Sequence, residues 1–583
     1  MMRSSVKYFL IVLILYLFTG CAGSDQILVS DRYSEPGEAI TELYLFADER
    51  DLNRLYSRNP RSDTRIEGYV RIGETGRIRT LRNGFRFRGN TTRYHPKKSF
   101  NIRFEHPQPF LFNSPRMNLN AMYTDPSGMR EKLTWDMFYE LGRPASKSRY
   151  FTLHINNSYE GLGIHVQRVD EVLLQHNGLD PSGSMLRDLT RRRGAGLGVD
   201  RQSIFGYNLA DEQDKPAFLS SLFNTRWNPD WQEVADLVQW VHDTPPGREF
   251  EDGFRQRVDT EVFIDWLAIH YMIGDVDAFG DDYWIYRGRG SSDKWKIIPW
   301  DHDISFGKNE RDGLTENRGL GQYGNGLVQL NDYFAYEYPI DDAGWDNKLI
   351  SSFLETPGLI LQLKDRMSYL MNEKFTQQYF RERTEIHRIV IEPYITKELA
   401  EGRFKYNERQ HHGLTGKFDY HVENILDFVE LRYAFLDRQI NPVEGEAYYA
   451  SAGLSSDGHT PVLLTDATGW TIAKFEPQDV TGNPVLTIQS SESEVSHENK
   501  VNREWSVQIE DGNASGRLTL YYRNDIAPDG KENWYYIDDA IGDQWELRVF
   551  IDGEESGNGY VNPYSNKVSG DVSITGLHVL YIN

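Results

Sequence analysis

A chain of 583 residues is too long for one ordinary core, so two or three domains are expected. Hydrophobic residues at 39% and aromatics at 13% exclude a disordered protein. A formal net charge of −23 excludes a general nucleic-acid-binding surface and leaves only a local basic site as a place for phosphates.

Arg3 and Lys7 give a positive start, and Tyr8 to Phe18 form an apolar run shorter than the ~20 residues of a membrane span. The run ends in Leu17-Phe18-Thr19-Gly20-Cys21-Ala22, which resembles the site where bacterial lipoproteins are cleaved and acylated on cysteine, although Phe18 stands where leucine is commoner. Cys21 is the single cysteine, which rules out an internal disulfide and a cysteine-based zinc site. Residues 1–21 are therefore expected to be a lipoprotein signal peptide and lipobox, and 22–39 a polar tether. The protein is expected to be exported and anchored to the cell envelope by a lipid on Cys21, at the outer membrane in a Gram-negative host because Ala22 follows the cysteine. A plain secretory signal with an incidental cysteine is the alternative.

Residues 40 to 110 read as short strands and turns, with Ile66 to Ile72, Phe85 to Arg88 and Ser99 to Phe104 partly alternating and separated by glycine. A helix is expected over 127 to 141 from Met129, Leu133, Met137 and Leu141. Strands follow at Tyr150 to Ile155 and Gly163 to Val166, then a helix near Asp170 to His176. Val262, Phe263, Trp266, Leu267, His270 and Ile273 mark a helix that Asp259 or Thr260 caps. Further helices are expected over Leu349 to Met371 and from Val422 to Ile440, the latter stopped by Asn441-Pro442. Residues 445–583 show no helical period; their aromatic and β-branched runs, such as Leu518 to Tyr522, Trp534 to Ile537 and Trp545 to Ile551, predict a β-sandwich-like module.

Three patches suit phosphoryl transfer. In Arg88-Gly89-Asn90-Thr91-Thr92-Arg93-Tyr94-His95-Pro96-Lys97-Lys98-Ser99-Phe100, fixed cations could meet a nucleotide's phosphates. Lys98 shares the parity of Phe100, Ile102 and Phe104 and is expected to face a cleft, with Lys97 solvated; a basic surface hairpin is the bland alternative. The second patch, Gly274 to Trp284, packs Asp275, Asp277, Asp281 and Asp282 together, and such oxygen-rich groups suit Mg²⁺. Asp277 and Asp282 have the separation of the Asp and Asn of a protein-kinase catalytic loop, but acidic loops are also common without a ligand. The third patch is Pro299-Trp300-Asp301-His302-Asp303-Ile304-Ser305-Phe306-Gly307, which puts Asp301 at the end of a buried strand, either as a metal ligand or as a turn cap. A strand-loop-strand passage can bring Asp277 and Asp301 to one site.

Together and in this order, the patches resemble the CotH kinase family of atypical protein kinases over residues 40 to 440. The resemblance implies an α+β, protein-kinase-like fold, with a β-rich N-lobe and a helical C-lobe over 40–440, before the all-β module at 445–583. It implies ATP with Mg²⁺ or Mn²⁺ as cofactors and transfer of phosphate to Ser or Thr of exported or cell-surface proteins. Lys98 would neutralise phosphates, assisted by Arg88 or Arg93; Asp277 would accept the hydroxyl proton; Asp301, helped by Asp282, would hold the metal. Gln167 stands where the family has a glutamate that pairs with the ATP-contacting lysine, which lowers that bond from ~1.5–3 to ~1 kcal/mol. Asp282 replaces the family's metal-binding asparagine, and Asp275 also replaces an asparagine. Two other readings stay open: a catalytically silent surface scaffold, and a glycan- or surface-adhesion lipoprotein. His411-His412 and Arg191 to Arg193 read as exposed loop residues, and the tryptophans of the last module as core.

Overall fold

The computed structural model describes residues 40–306, 347–404, 417–521 and 549–582, less short breaks that include 276, 281 and 304. Cys21 with the whole of 1–39, Gly307, His411-His412 and Trp534 to Ile537 lie outside the described residues, as do the side chains of Asp277, Arg191 and Arg192.

Seven strands close into a barrel: β1 (Thr41–Phe46), β2 (Tyr69–Ile72), β3 (Arg79–Phe87), β4 (Phe100–Gln108), β5 (Ser114–Asn120), β6 (Ser148–Ile155) and β7 (Ser158–Val166). Their order is β1-β2-β3-β4-β5-β7-β6, and parallel pairing of β6 with β1 closes it. Period-2 alternation fills the interior, where Leu43, Leu45, Phe85, Phe87, Phe100, Ile102, Phe104, Met117, Leu119, Phe151 and Leu153 form one cluster.

The helical part rests on α1 (Arg130–Glu140), α2 (Thr260–Ile273), α3 (Pro357–Tyr369), α4 (Gln377–Ala400) and α5 (Phe418–Ile440), besides shorter helices. Asp259 caps α2 by accepting from Val262 N at 3.3 Å, and Gly274 ends it in the left-handed region at φ 65. The expected 349–371 helix is broken before Pro357, which starts α3. Helix α4 has no counterpart in the sequence reading; it carries Pro393 in its interior and a weak apolar stripe. Among the described residues no helix is long and apolar enough to cross a membrane.

A second sheet, ordered β11-β10-β8-β9, joins β8 (Ser184–Asp188), β9 (Phe223–Thr225), β10 (Tyr283–Arg287) and β11 (Lys296–Pro299). From Tyr449 every described element is a strand, and these strands form one nine-stranded sheet built on the long pair β12 (Thr471–Glu492) and β13 (Arg503–Tyr521). Register shifts at Pro477/Asp479 and Gly482/Val485 divide that pair, so its two halves recruit different neighbours without giving two separate sheets among the described residues. The sheet docks on α5: Lys474 pairs with Glu430 at 2.8 Å, and Phe475 and Trp505 join the apolar cluster of Val429 and Leu436. The fold class is thus α+β.

Candidate active site

Arg88 follows β3 at one end of the barrel, its N–H bonded to Ser99 O at 3.0 Å. Gly89 turns the chain at φ 97, where a Cβ would meet Thr92 Oγ1 at 1.7 Å, so only glycine fits. Desolvation lowers the pKa of the Arg88 guanidinium, opposed by the charges of Asp301, Glu131 and Asp303 in that order. The charges of these four groups thus act on one another although they come from the end of β3, the first turn of α1 and the loop after β11.

Glu131 is buried, and Asn120 Nδ2 donates to both its carboxylate oxygens at 3.0 Å. Burial first, then the negative charges of Asp301 and Asp303, push its carboxyl up to about 8, against the hydrogen bond from Asn120. A hard cation with oxygen ligands among these carboxyls would relieve the repulsion that raises Glu131, whereas the ligand atoms brought within 4.8 Å of one another are those of His270, Asp275 and His302.

The two acidic loops are tied together. The β10–β11 hairpin sets Tyr283 opposite Pro299, and Trp300 N donates to Asp282 O at 3.1 Å. Phe306 N bonds Ile273 O at 2.7 Å, and the His302 ring meets Asp275 Oδ2 through Nδ1 at 3.0 Å. Asp301 adopts the left-handed region at φ 59, which an Asp tolerates better than most residues and which sends His302 into the core while Asp301 stays exposed. Asp277 lies in a short 3₁₀ turn, Asp277–Phe279, two residues beyond Asp275.

His270 Nδ1 meets the Trp266 carbonyl at 2.6 Å, so it carries the proton, and Nε2 of both His270 and His302 is buried without a hydrogen-bond partner. One ligand atom each from His270, Asp275 and His302 lies within 4.8 Å of the others. These three groups could together hold one metal ion, and the His302–Asp275 bond also ties the two loops to each other.

Several expected partners are elsewhere. Lys98 Nζ donates to Arg93 O at 2.8 Å and lies over the Phe87 ring, while Gln167 is fully buried against His176 Nδ1 at 2.9 Å and Lys147 N at 3.3 Å. The expected Gln167–Lys98 pairing is therefore corrected: each side chain is committed to other groups. Lys97 is not solvated either; its side chain is 7% exposed and bonds Glu398 Oε2 of α4 at 2.5 Å and Leu162 O at 2.8 Å. Arg93 is turned to Asp63, Gly89 O and Arg61 O. Asp282 is buried and ion-paired with Arg187. The sequence reading missed Glu131, whose position off the Met129-Leu133-Met137 stripe reads as solvent-facing; every residue of α1 from Arg130 to Phe138 is buried. A cleft of about 1030 Å³ between Asp180, Asp259, Glu261 and Lys296 has none of these acids in its lining.

The family model of the CotH kinase protein matches residues 85–436, more than half of the chain and the whole stretch from Arg88 past Asp303. The chain belongs to the CotH kinase family. It is also similar to the inner spore coat protein H of Bacillus subtilis (strain 168), 26% identical over 275 residues that cover 45% of this chain and 68% of that protein. The CotH match spans the barrel from β3 onward, the second sheet and α1–α5, and ends before the C-terminal sheet.

Proposed function

We propose that the protein transfers the γ-phosphate of ATP to Ser or Thr hydroxyls of exported or cell-surface proteins, with the barrel as the smaller lobe of a kinase-like core over 40–440. The observation that carries this reading is that the charges of Asp301, Glu131 and Asp303 all act on Arg88, within the stretch matched by the CotH kinase family model. The bond from the γ-phosphorus to the β–γ bridging oxygen breaks, a bond to the acceptor oxygen forms, and ADP leaves. Asp277 accepts the hydroxyl proton. Asp301, with Asp303 and Glu131, would hold Mg²⁺ or Mn²⁺, whose chemistry is to neutralise charge on the phosphates. Arg88 would face the same charge, and Lys98, held by Arg93 O, would add a second cation. Cys21 would carry the lipid that anchors the protein to the envelope.

The ion pair of Asp282 with Arg187 favours a second reading, a silent scaffold, because it occupies the side chain that replaces the family's metal-binding asparagine. Incubating the purified protein with ATP and Mn²⁺ and weighing it intact separates the readings. Increments of phosphate mass support the kinase, increments of AMP mass a nucleotidyl transferase, and no increment with no nucleotide binding the scaffold.

A further inference from the structure

On the outer face of the barrel the alternation that fills its interior turns Arg86 of β3, Arg103 of β4 and Arg116 of β5 outward. Arg103 stands directly opposite Arg116 in the β4–β5 register, a like-charge cross-strand pair that works against the sheet. Arg65 lies along the same face, donating to Gly84 O and Asn101 O. The row continues past β7 into Arg168, whose charge is disfavoured by Arg116 and Arg103, and then into Arg226, which is disfavoured by Arg168, Arg187 and Arg116.

Opposite charge is outnumbered along it, with Glu171 and Asp170 favouring the charge of Arg168 and Asp170 that of Arg226. Asp63 pairs with Arg86 at one end, Asp170 stands 3.8 Å from Arg168, and Asp282 pairs with Arg187 at the other end. Arg65, Arg103, Arg116 and Arg226 make no ion pair among the described residues, and Nε of Arg103 and of Arg168 is buried without a hydrogen-bond partner. Arg65 and Arg226 are held in place by neutral groups, Arg226 by Val169 O at 2.5 Å and the Trp284 ring, but stability alone does not account for guanidinium groups without carboxylate partners gathered on one face of a chain with net charge −23.

We propose that this row docks the polypeptide substrate and selects acceptor segments rich in carboxylate or phosphate groups, an inference that rests on the kinase reading above. Three strand spacings separate β3 from β7, ~14 Å before Arg168 and Arg226 are reached, which exceeds the span of three linked phosphates and suits an extended acidic chain. The row ends at Arg187 and Asp282, and the bond of Trp300 N to Asp282 O sets that end beside the loop of Asp301.

The test is fluorescence anisotropy on the full chain with three labelled peptides of equal length: a Glu/Asp-rich serine peptide, its phosphoserine form and a Lys-rich serine peptide. Displacement of a fluorescent ATP analogue is followed in parallel. The acidic and phosphorylated peptides are expected to bind at least about tenfold more tightly than the basic one, with affinity falling as salt rises. The double variant Arg103→Gln/Arg116→Gln, and Arg116→Gln alone, are expected to weaken that binding with nucleotide affinity and melting temperature retained. Preference for the basic peptide, unchanged acidic-peptide binding in folded variants, or tighter binding of a single-stranded oligonucleotide would overturn the proposal. Loss of nucleotide binding in the variants would overturn it too, by making the row a nucleotide site. A protein that binds acidic peptide through these arginines but binds no nucleotide supports the row and overturns the kinase reading alone.

Discussion

His302 and Asp275, 27 positions apart, meet through Nδ1 and Oδ2 at 3.0 Å with both side chains fully buried. Burial and the neighbouring His270 hold the His302 imidazole well below its usual pKa, so the ring is neutral and donates its Nδ1 proton to the carboxylate. This bond joins the loop of Asp301 to the loop of Asp277. His302→Leu is therefore expected to cost about 1–3 kcal/mol of stability in urea denaturation. It should weaken Mn²⁺ binding as well, whereas Asp301→Asn, at an exposed position, should weaken Mn²⁺ binding with stability unchanged.

Metal binding at the proposed site is expected to depend on pH through Glu131. Its folded pKa of about 8 lies above the unfolded value, so in metal-free protein its contribution to stability is full below the unfolded pKa and is lost as pH rises through 8. A cation must displace that proton, so Mn²⁺ affinity should rise by up to about tenfold per pH unit between pH 6 and 8. Glu131→Gln should flatten the slope in titrations at pH 6, 7 and 8 and make the metal-free fold no less stable at pH 8.

Acid should loosen the same region. Burial drives His270 down to about 3, so below the unfolded value of ~6.5 the unfolded chain takes up a proton that the folded chain refuses. Stability should be level above pH ~6.5 and fall by about 1.4 kcal/mol per unit below it, down to pH ~3, on account of this residue alone. His270→Gln should show a shallower loss when urea midpoints are compared at pH 7, 5 and 4; identical slopes would remove this cause.

The two neighbouring lysines should behave differently. Lys97 and Glu398 form a buried pair between the barrel edge and α4, so Lys97→Met strands a carboxylate and should cost about 3–5 kcal/mol. The double change with Glu398→Leu should recover much of it. Lys98→Met loses a hydrogen bond to Arg93 O at a partly open site; a smaller loss of stability with weaker ATP binding is expected, read by thermal denaturation and nucleotide titration.

These lysines also show how far sequence reaches. Phe100, Ile102 and Phe104 correctly announced an inward face, because alternation is a local property of a strand. That face is the barrel interior rather than a cleft, and the regular strand starts only at Phe100, so parity says little about Lys97 and Lys98. Lys97 is buried by a glutamate 301 residues away on α4, a helix that its Pro393 and weak stripe concealed. Glu131 was hidden for the same reason: its meaning comes from Asn120, Asp301 and Asp303, and no local period encodes such meetings. By contrast, the Asp259 cap, the stop at Asn441 and the approach of the two acidic loops through the β10–β11 hairpin were legible, since each rests on neighbours in the chain.

In the proposed mechanism Asp301 holds a metal at a phosphoryl-transfer site where Asp277 is the base. It is tested most directly by intact-mass phosphate incorporation with ATP and Mn²⁺ in wild type, Asp301→Asn and Asp277→Asn, with nucleotide binding measured on the same samples. Wild type is expected to incorporate phosphate, and Asp301→Asn to lose metal-dependent nucleotide binding. Asp277→Asn is expected to keep near-normal nucleotide binding with transfer lowered by roughly 10²–10⁴-fold. Full incorporation by Asp301→Asn would contradict it.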